Sequence, residues 1–171
     1  MIFLGIDISL VNTGCIKLLN GYLKNKQSIK SKKTSDKPID ELNRMLNIRD
    51  SIDMTGVGYV AIEGIAFAAR NTTSMSQLSA LNYMVREYAM LCGCKFIIVA
   101  PTTLKKFVTG KGNVGKDVMM LETYKRYGES FSDNNLADAY GLARCAEAVF
   151  NTRVKLTKFQ QEVVDLLRKQ L

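Results

Sequence analysis

Three acids stand where acids are seldom found. Asp7 closes the apolar run Ile2-Phe3-Leu4-Gly5-Ile6, and Glu63 closes Val57-Gly58-Tyr59-Val60-Ala61-Ile62. Asp138 sits inside Leu136-Ala137-Asp138-Ala139-Tyr140-Gly141-Leu142-Ala143. A carboxylate flush with a core segment loses its hydration, so it is usually paired or bound to a cation. Any one of these acids could instead cap a turn or satisfy free N–H groups at a helix start. If the strands ending at Asp7 and Glu63 are neighbours and a helix crosses their edge with Asp138, the three like charges need a cation between them. The chain has no histidine. That removes Ser-His-Asp and Cys-His chemistry and His-ligated zinc. Its cysteines, at 15, 92, 94 and 145, form no CxxC pair, and Cys92-Gly93-Cys94 reads as the end of a packed helix. Hard oxygen ligands remain, and they suit Mg²⁺ or Mn²⁺. Two such ions can activate water and stabilise the leaving oxygen in phosphodiester cleavage.

The elements that must position these acids follow from pattern and punctuation. Residues 2–8 are an Ile-rich run of strand length. Asn12-Thr13-Gly14 reads as a turn, residues 14–19 as a second strand, and Asn20-Gly21 as a two-residue hairpin connection. The return strand, from Tyr22 to about Lys33, carries Lys24, Lys26, Lys30, Lys32 and Lys33. Lysines there either protect an edge strand or face phosphate. Pro38 opens a helix with Asp40 and Glu41 in its first turn. Strand 57–62 follows, and then a helix from about 72 to 92 with Leu78, Leu81, Val85, Tyr88 and Cys92 at helical spacing. Tyr83, Met84 and Leu91 add a second apolar face, which suits a partner subunit. Phe96–Val99 is a fifth strand. Helices from Pro101 to Val108, Lys116 to Tyr127 and Asn134 to Val149 come next. The order is three antiparallel strands, helix, strand, helix, strand, helices, an α/β arrangement with a mixed five-stranded sheet. Residues 151–171 form a late amphipathic helix with Leu156, Phe159, Val163, Leu166 and Leu167 on one side. It either docks on the domain or meets a partner.

The 171 residues, 47% of them apolar, fit one domain with a short appendage. Basic residues outnumber acidic ones by 24 to 16, a net charge of +8, which suits a polyanionic partner. No run approaches the roughly 18 apolar residues of a membrane span. The free cysteines and the lack of a signal-peptide pattern point to a reduced, cytoplasmic setting with no membrane partner.

The pattern Gly5-Ile6-Asp7-Ile8-Ser9 through Thr13-Gly14, then Ile62-Glu63, then Ala137-Asp138-Ala139, resembles the RuvC-type Holliday junction resolvases of the ribonuclease H-like superfamily. The resemblance spans about residues 1–150 and implies a ribonuclease H-like nuclease domain there, with 151–171 as an added C-terminal helix. It implies a Mg²⁺-dependent endodeoxyribonuclease, with Mn²⁺ able to substitute. A homodimer formed through helix 72–92 would nick four-way DNA symmetrically. Asp7 would lie between the ions, with Glu63 and Asp138 flanking. Phe67-Ala68-Ala69-Arg70-Asn71 looks like the family segment after the catalytic Glu, where a Phe meets bases at the junction centre. By resemblance, Phe67, Arg70 and Asn71 are DNA-binding. The segments Leu104-Lys105-Lys106 and Gly110 to Lys116 resemble the stretch carrying the family's two lysines near the scissile phosphate. Those fall on Lys105 and Lys116, the second also catalytic.

Several positions depart from the family. Its fourth metal ligand, an Asp or His three positions before the last Asp, is here Asn135, which shares a helix face with Asp138. Asn135 offers a neutral oxygen, so Asp133 is an alternative ligand. One extra residue separates Glu63 from Phe67. The Lys-rich third strand and the tail after 150 also differ from the bacterial pattern and fit a phage-encoded branch. Four other readings compete. The letters Gly110-x-Gly112-x-x-Gly115 match a dinucleotide fingerprint but do not follow a strand. An actin or sugar-kinase fold needs two lobes, more than this length holds. A non-catalytic binder of branched nucleic acid, or a related nuclease acting on RNA or forks, would share the same basic surface.

Overall fold

A computed structural model describes residues 1–65 and 72–171. Three antiparallel strands, β1 (Ile2–Asp7), β2 (Asn12–Leu19) and β3 (Tyr22–Lys30), lead into α1 (Pro38–Asp50) and β4 (Tyr59–Glu63). Then come α2 (Thr72–Leu91), β5 (Lys95–Val99), α3 (Pro101–Thr109), α4 (Lys116–Tyr127), α5 (Asn134–Phe150) and α6 (Lys158–Arg168). The sheet runs β3-β2-β1-β4-β5. β1 pairs antiparallel with β2 and parallel with β4, so the expected mixed sheet is present and β1 lies at its centre.

Side chains alternate across a strand, and each face of this sheet meets a different core. Phe3, Ile16, Leu18, Ala61, Ile97 and Val99 face α3, α4, α5 and α6. Leu4, Ile6, Cys15, Val60 and Ile62 face α1 and α2. The same alternation puts Gly5 and Asp7 of β1, and Glu63 of β4, on the α5 face. α5 is buried nearly all round and carries five alanines and one glycine among its 17 residues. Its seat is made by two glycines. A methyl at Gly5 would collide with the Ala139 carbonyl and the Ala143 amide, and one at Gly14 with the Asn135 carbonyl. Backbone therefore rests on backbone, and α5 lies as close to β1 and β2 as chain geometry allows.

The Asn20-Gly21 connection has both residues at positive φ (51° and 86°), as the two-residue hairpin expectation requires. Three local expectations are corrected. Asn12-Thr13-Gly14 is the start of β2, not a turn. The reversal lies earlier, where the Ser9 hydroxyl accepts from the Val11 and Asn12 N–H groups. β3 stops at Lys30 rather than near Lys33, with Ser31 donating its N–H to the Val11 carbonyl. The buried stripe of α2 is Leu81, Val85 and Ala89, while Tyr83, Met90, Leu91 and Cys92 are exposed.

The C-terminal helix is shorter than 151–171, and it docks. Val163, Val164 and Leu167 join the core, whereas Leu166 of the expected stripe is exposed. A capping box between Thr157 and Gln160 starts the helix. Beyond it, the Gln170 side-chain amide accepts from the Ile98 N–H at 2.9 Å and donates to the Ile98 carbonyl at 2.8 Å. One side chain thus stands in for a neighbouring strand at the open edge of β5. Among the described residues, no helix is long and apolar enough to cross a membrane.

Candidate active site

The β1–β4 register pairs Ile6 with Ile62, so the residues that follow, Asp7 and Glu63, stand side by side about 4.8 Å apart at the strand level. Asp7 is only 7% exposed. Burial first, and the Glu63 charge second, push the Asp7 carboxyl well above its ordinary range. Asp7 and Glu63 share a hydrogen bond that favours the proton on Asp7. Burial raises Glu63 as well, against the lowering effect of that bond.

Asp138 approaches from α5. Its carboxyl is also raised by burial, and its charge is felt at both Asp7 and Glu63. Lys116, the first residue of α4, lowers all three carboxyls, and Lys105 of α3 lowers Glu63 and Asp138. The structure therefore brings Asp7, Glu63, Asp138, Lys105 and Lys116 to one end of the sheet. Among the described residues, however, no group of three His, Cys, Asp or Glu side chains is drawn together tightly enough to hold a metal ion. The donor set is a hydrogen-bonded carboxyl pair with a third carboxyl facing it. The donor types are hard oxygens of the kind that bind a divalent cation such as Mg²⁺, although the three carboxyls would have to close further to hold one.

Of the two candidates for a fourth ligand, Asp133 has both carboxylate oxygens engaged, whereas the bond made by the Asn135 side chain uses Nδ2 and not Oδ1. The Asn135 side-chain amide donates to the Asn12 carbonyl at 2.6 Å. Asp133 is the N-cap of α5 and spends Oδ1 on the Asn135 N–H at 2.9 Å. Its Oδ2 accepts from Asn12 Nδ2 at 2.7 Å. Asn12 is the residue that the sequence pattern undervalued. An Asn two places before a Gly carries turn chemistry on its face, and the partners that explain it lie 121 and 123 positions away. Phe67, Arg70 and Asn71 lie outside the described residues.

No family model matches the chain, and no curated protein matches it either. Solved structures do. Thermus thermophilus RuvC in complex with a Holliday junction substrate is similar at a TM-score of 0.69 and 19% identity, over 84% of this chain and 90% of that one. Thermus thermophilus RuvC in a second structure gives 0.64 at 19% identity, over 84% and 91%. The Fowlpox virus resolvase with Holliday junction DNA gives 0.56 at 14% identity, over 88% and 100%. The architecture is the ribonuclease H-like fold. The chain's mixed five-stranded sheet and, among the described residues, six helices share that fold with RuvC.

Proposed function

We propose that this protein is a metal-dependent, structure-selective DNA endonuclease that resolves four-way junctions by symmetric phosphodiester cleavage. The observation that carries the reading is the pairing of Asp7 with Glu63 at adjacent strand ends, faced by Asp138 and within reach of Lys105 and Lys116. This pairing stands in the fold of two resolvases solved with junction DNA. The three carboxylates would hold Mg²⁺ or Mn²⁺. Asn135 stands at the fourth position, where its Nδ2 is held by the Asn12 carbonyl and its Oδ1 is the ligating atom it would offer. When bound, the metal supplies the Lewis acidity and charge neutralisation that in-line displacement at phosphorus needs.

The chain's own residues do the rest. Lys116 stabilises the charge that builds on the phosphoryl oxygens, and Lys105 holds the phosphate as a compact point charge. Phe67 would stack on an unpaired base at the junction centre, and Arg70 and Asn71 would contact the DNA. Exposed Tyr83, Met90 and Leu91 on α2 supply an apolar face for a second copy, and a twofold dimer matches the near-twofold symmetry of a four-way junction. The net charge of +8 makes binding steeply salt-dependent.

A synthetic four-way junction tests this, incubated with wild type and Asp7→Asn in Mg²⁺, in Mn²⁺ and in chelator. Paired nicks that need metal and vanish in Asp7→Asn are expected. A non-catalytic junction binder is the second reading, favoured by the engagement of both Asp133 oxygens and by a neutral Asn at position 135. Tight binding with no nick under any metal would select it.

A further inference from the structure

Asn12 opens β2, and all of its polar groups are used. Its Nδ2 donates to Asp133 at 2.7 Å, and its Oδ1 accepts from the Ser28 hydroxyl at 2.5 Å. Its carbonyl accepts from the Asn135 amide at 2.6 Å, and its N–H donates to the Ser9 hydroxyl at 3.3 Å. One residue thus joins the loop after Asp7, the edge strand β3 and the first turn of α5.

Only an amide side chain does this. Its donor end meets a carboxylate whose other oxygen already caps α5, and its acceptor end meets a hydroxyl. An Asp here would set two carboxylates against each other, and an Ala would remove the bonds to Asp133 Oδ2 and from the Ser28 hydroxyl. Gly14, two places on, lets the α5 backbone rest on β2. The glycine permits the approach, and Asn12 fixes where along β2 the helix end sits. Asp138 follows the cap by five positions, about 7.5 Å of helix. A shift or tilt of the first turn therefore moves Asp138 directly relative to Asp7 and Glu63.

We infer that Asn12 is a positioning residue: its side chain, through Asp133, sets the reach of Asp138 towards Asp7 and Glu63, and it keeps Asp133 as a clamp instead of a ligand. The clamp stands on geometry alone, and its consequence for catalysis rests on the proposed nuclease reading.

The first arm of the test needs neither metal nor DNA. Hydrogen exchange in Asn12→Ala should speed at the amides of residues 135–138 and stay unchanged at residues 142–149. Asp133→Ser keeps a helix cap but lacks the second oxygen. It should show the same local change, and the double variant should be no worse than either single one. Wild-type exchange in Asn12→Ala, or additive effects in the double variant, overturns the clamp. If Asn12→Ala fails to fold, Asn12→Ser, which keeps a hydroxyl donor, carries the same arms.

The second arm is the Mn²⁺ concentration at half-maximal thermal shift, without DNA. Removing a residue that orients metal ligands costs about 10–100-fold in metal affinity, so the midpoint in Asn12→Ala should rise by at least about tenfold. A lowered melting temperature with an unmoved midpoint overturns the positioning role. The third arm is junction cleavage, where kcat should fall while junction binding in chelator holds. A midpoint that moves with no cleavage in wild type keeps the inference and sinks the nuclease reading. A wild type with no metal response also sinks that reading and leaves the exchange arm to decide the clamp.

Discussion

Gly14→Ala is the sharpest probe of how this site is assembled. The added methyl meets the carbonyl oxygen and carbon of Asn135, with the Leu136 amide nitrogen at 3.1 Å. These are backbone atoms, so no rotamer change relieves the clash. α5 must lift from β2 by about 1 Å to restore ordinary contact, an overpacking cost of about 1–3 kcal/mol. For a chain of this size that lowers the melting temperature by about 2–12 °C. The lift occurs at the turn that carries Asp138, and a misplacement of about 1 Å costs catalysis about 10²-fold. Thermal unfolding by circular dichroism and single-turnover cleavage of a four-way junction read the two effects. Gly58→Ala is the control, since a methyl there meets nothing within 4 Å and should alter neither. A Gly14→Ala protein that melts and cleaves like wild type would refute the seating of α5 on β2.

Three other outcomes follow from the same geometry. Burial raises the folded-state carboxyls of Asp7, Glu63 and Asp138. Such groups stabilise below their unfolded values and lose that contribution as pH rises through the folded ones. Metal-free protein should therefore melt lower at pH of about 8 than at about 5, and Asp7→Asn should flatten that slope; equal slopes would count against the buried carboxyl cluster. Asp53, lowered to about 2 by its bond from Lys17, stabilises in the opposite sense, but it loses its contribution only below the ordinary value and leaves this window untouched. Lys116→Ala should cost about 10²–10³ in cleavage rate, while the salt slope of junction binding falls by about 1; an unchanged rate would remove Lys116 from the reaction. Gln170→Ala uncovers the N–H and carbonyl of Ile98 on β5 and should increase self-association in light scattering, with monodisperse behaviour as the refuting result.

What the sequence disclosed depended on how local each cause was. Asp7 and Glu63 were legible because an acid ending an apolar strand run is anomalous within a few residues of itself. Asn20-Gly21 was legible because its turn chemistry is self-contained. Asn12 and Gly14 were misread because their letters are turn letters, while their causes are a helix arriving from residue 133 onward. The α6 stripe shifted from Leu166 to Val164 because a short amphipathic helix offers two adjacent stripes and the docking surface chooses between them. Lys105 and Lys116 look like any surface lysines until α3 and α4 bring them to the carboxylates. Only family resemblance had marked them.

The two glycine seats and the carboxyl cluster are parts of one arrangement. Like charges so close would spread apart if their backbones were free to: Glu63 and Asp138 push Asp7 towards the protonated form, and Asp138 pushes Glu63 the same way. Asp7 and Glu63 cannot separate because β1 and β4 are hydrogen-bonded neighbours at the centre of the sheet. Asp138 is held to them by a helix with Ala139 and Ala143 pressed on Gly5 and Asn135 pressed on Gly14. The unfavourable charge is therefore sustained by packing elsewhere, in a core that spans α3, α4, α5 and α6. Lys116 and Lys105 reduce the repulsion without joining the pair, and under the proposed nuclease reading this leaves the carboxylate oxygens for a divalent ion and the lysines for a phosphate. A site preorganised in this way does not rearrange to receive its charge. Loosening either glycine seat should therefore weaken metal binding before it weakens DNA binding.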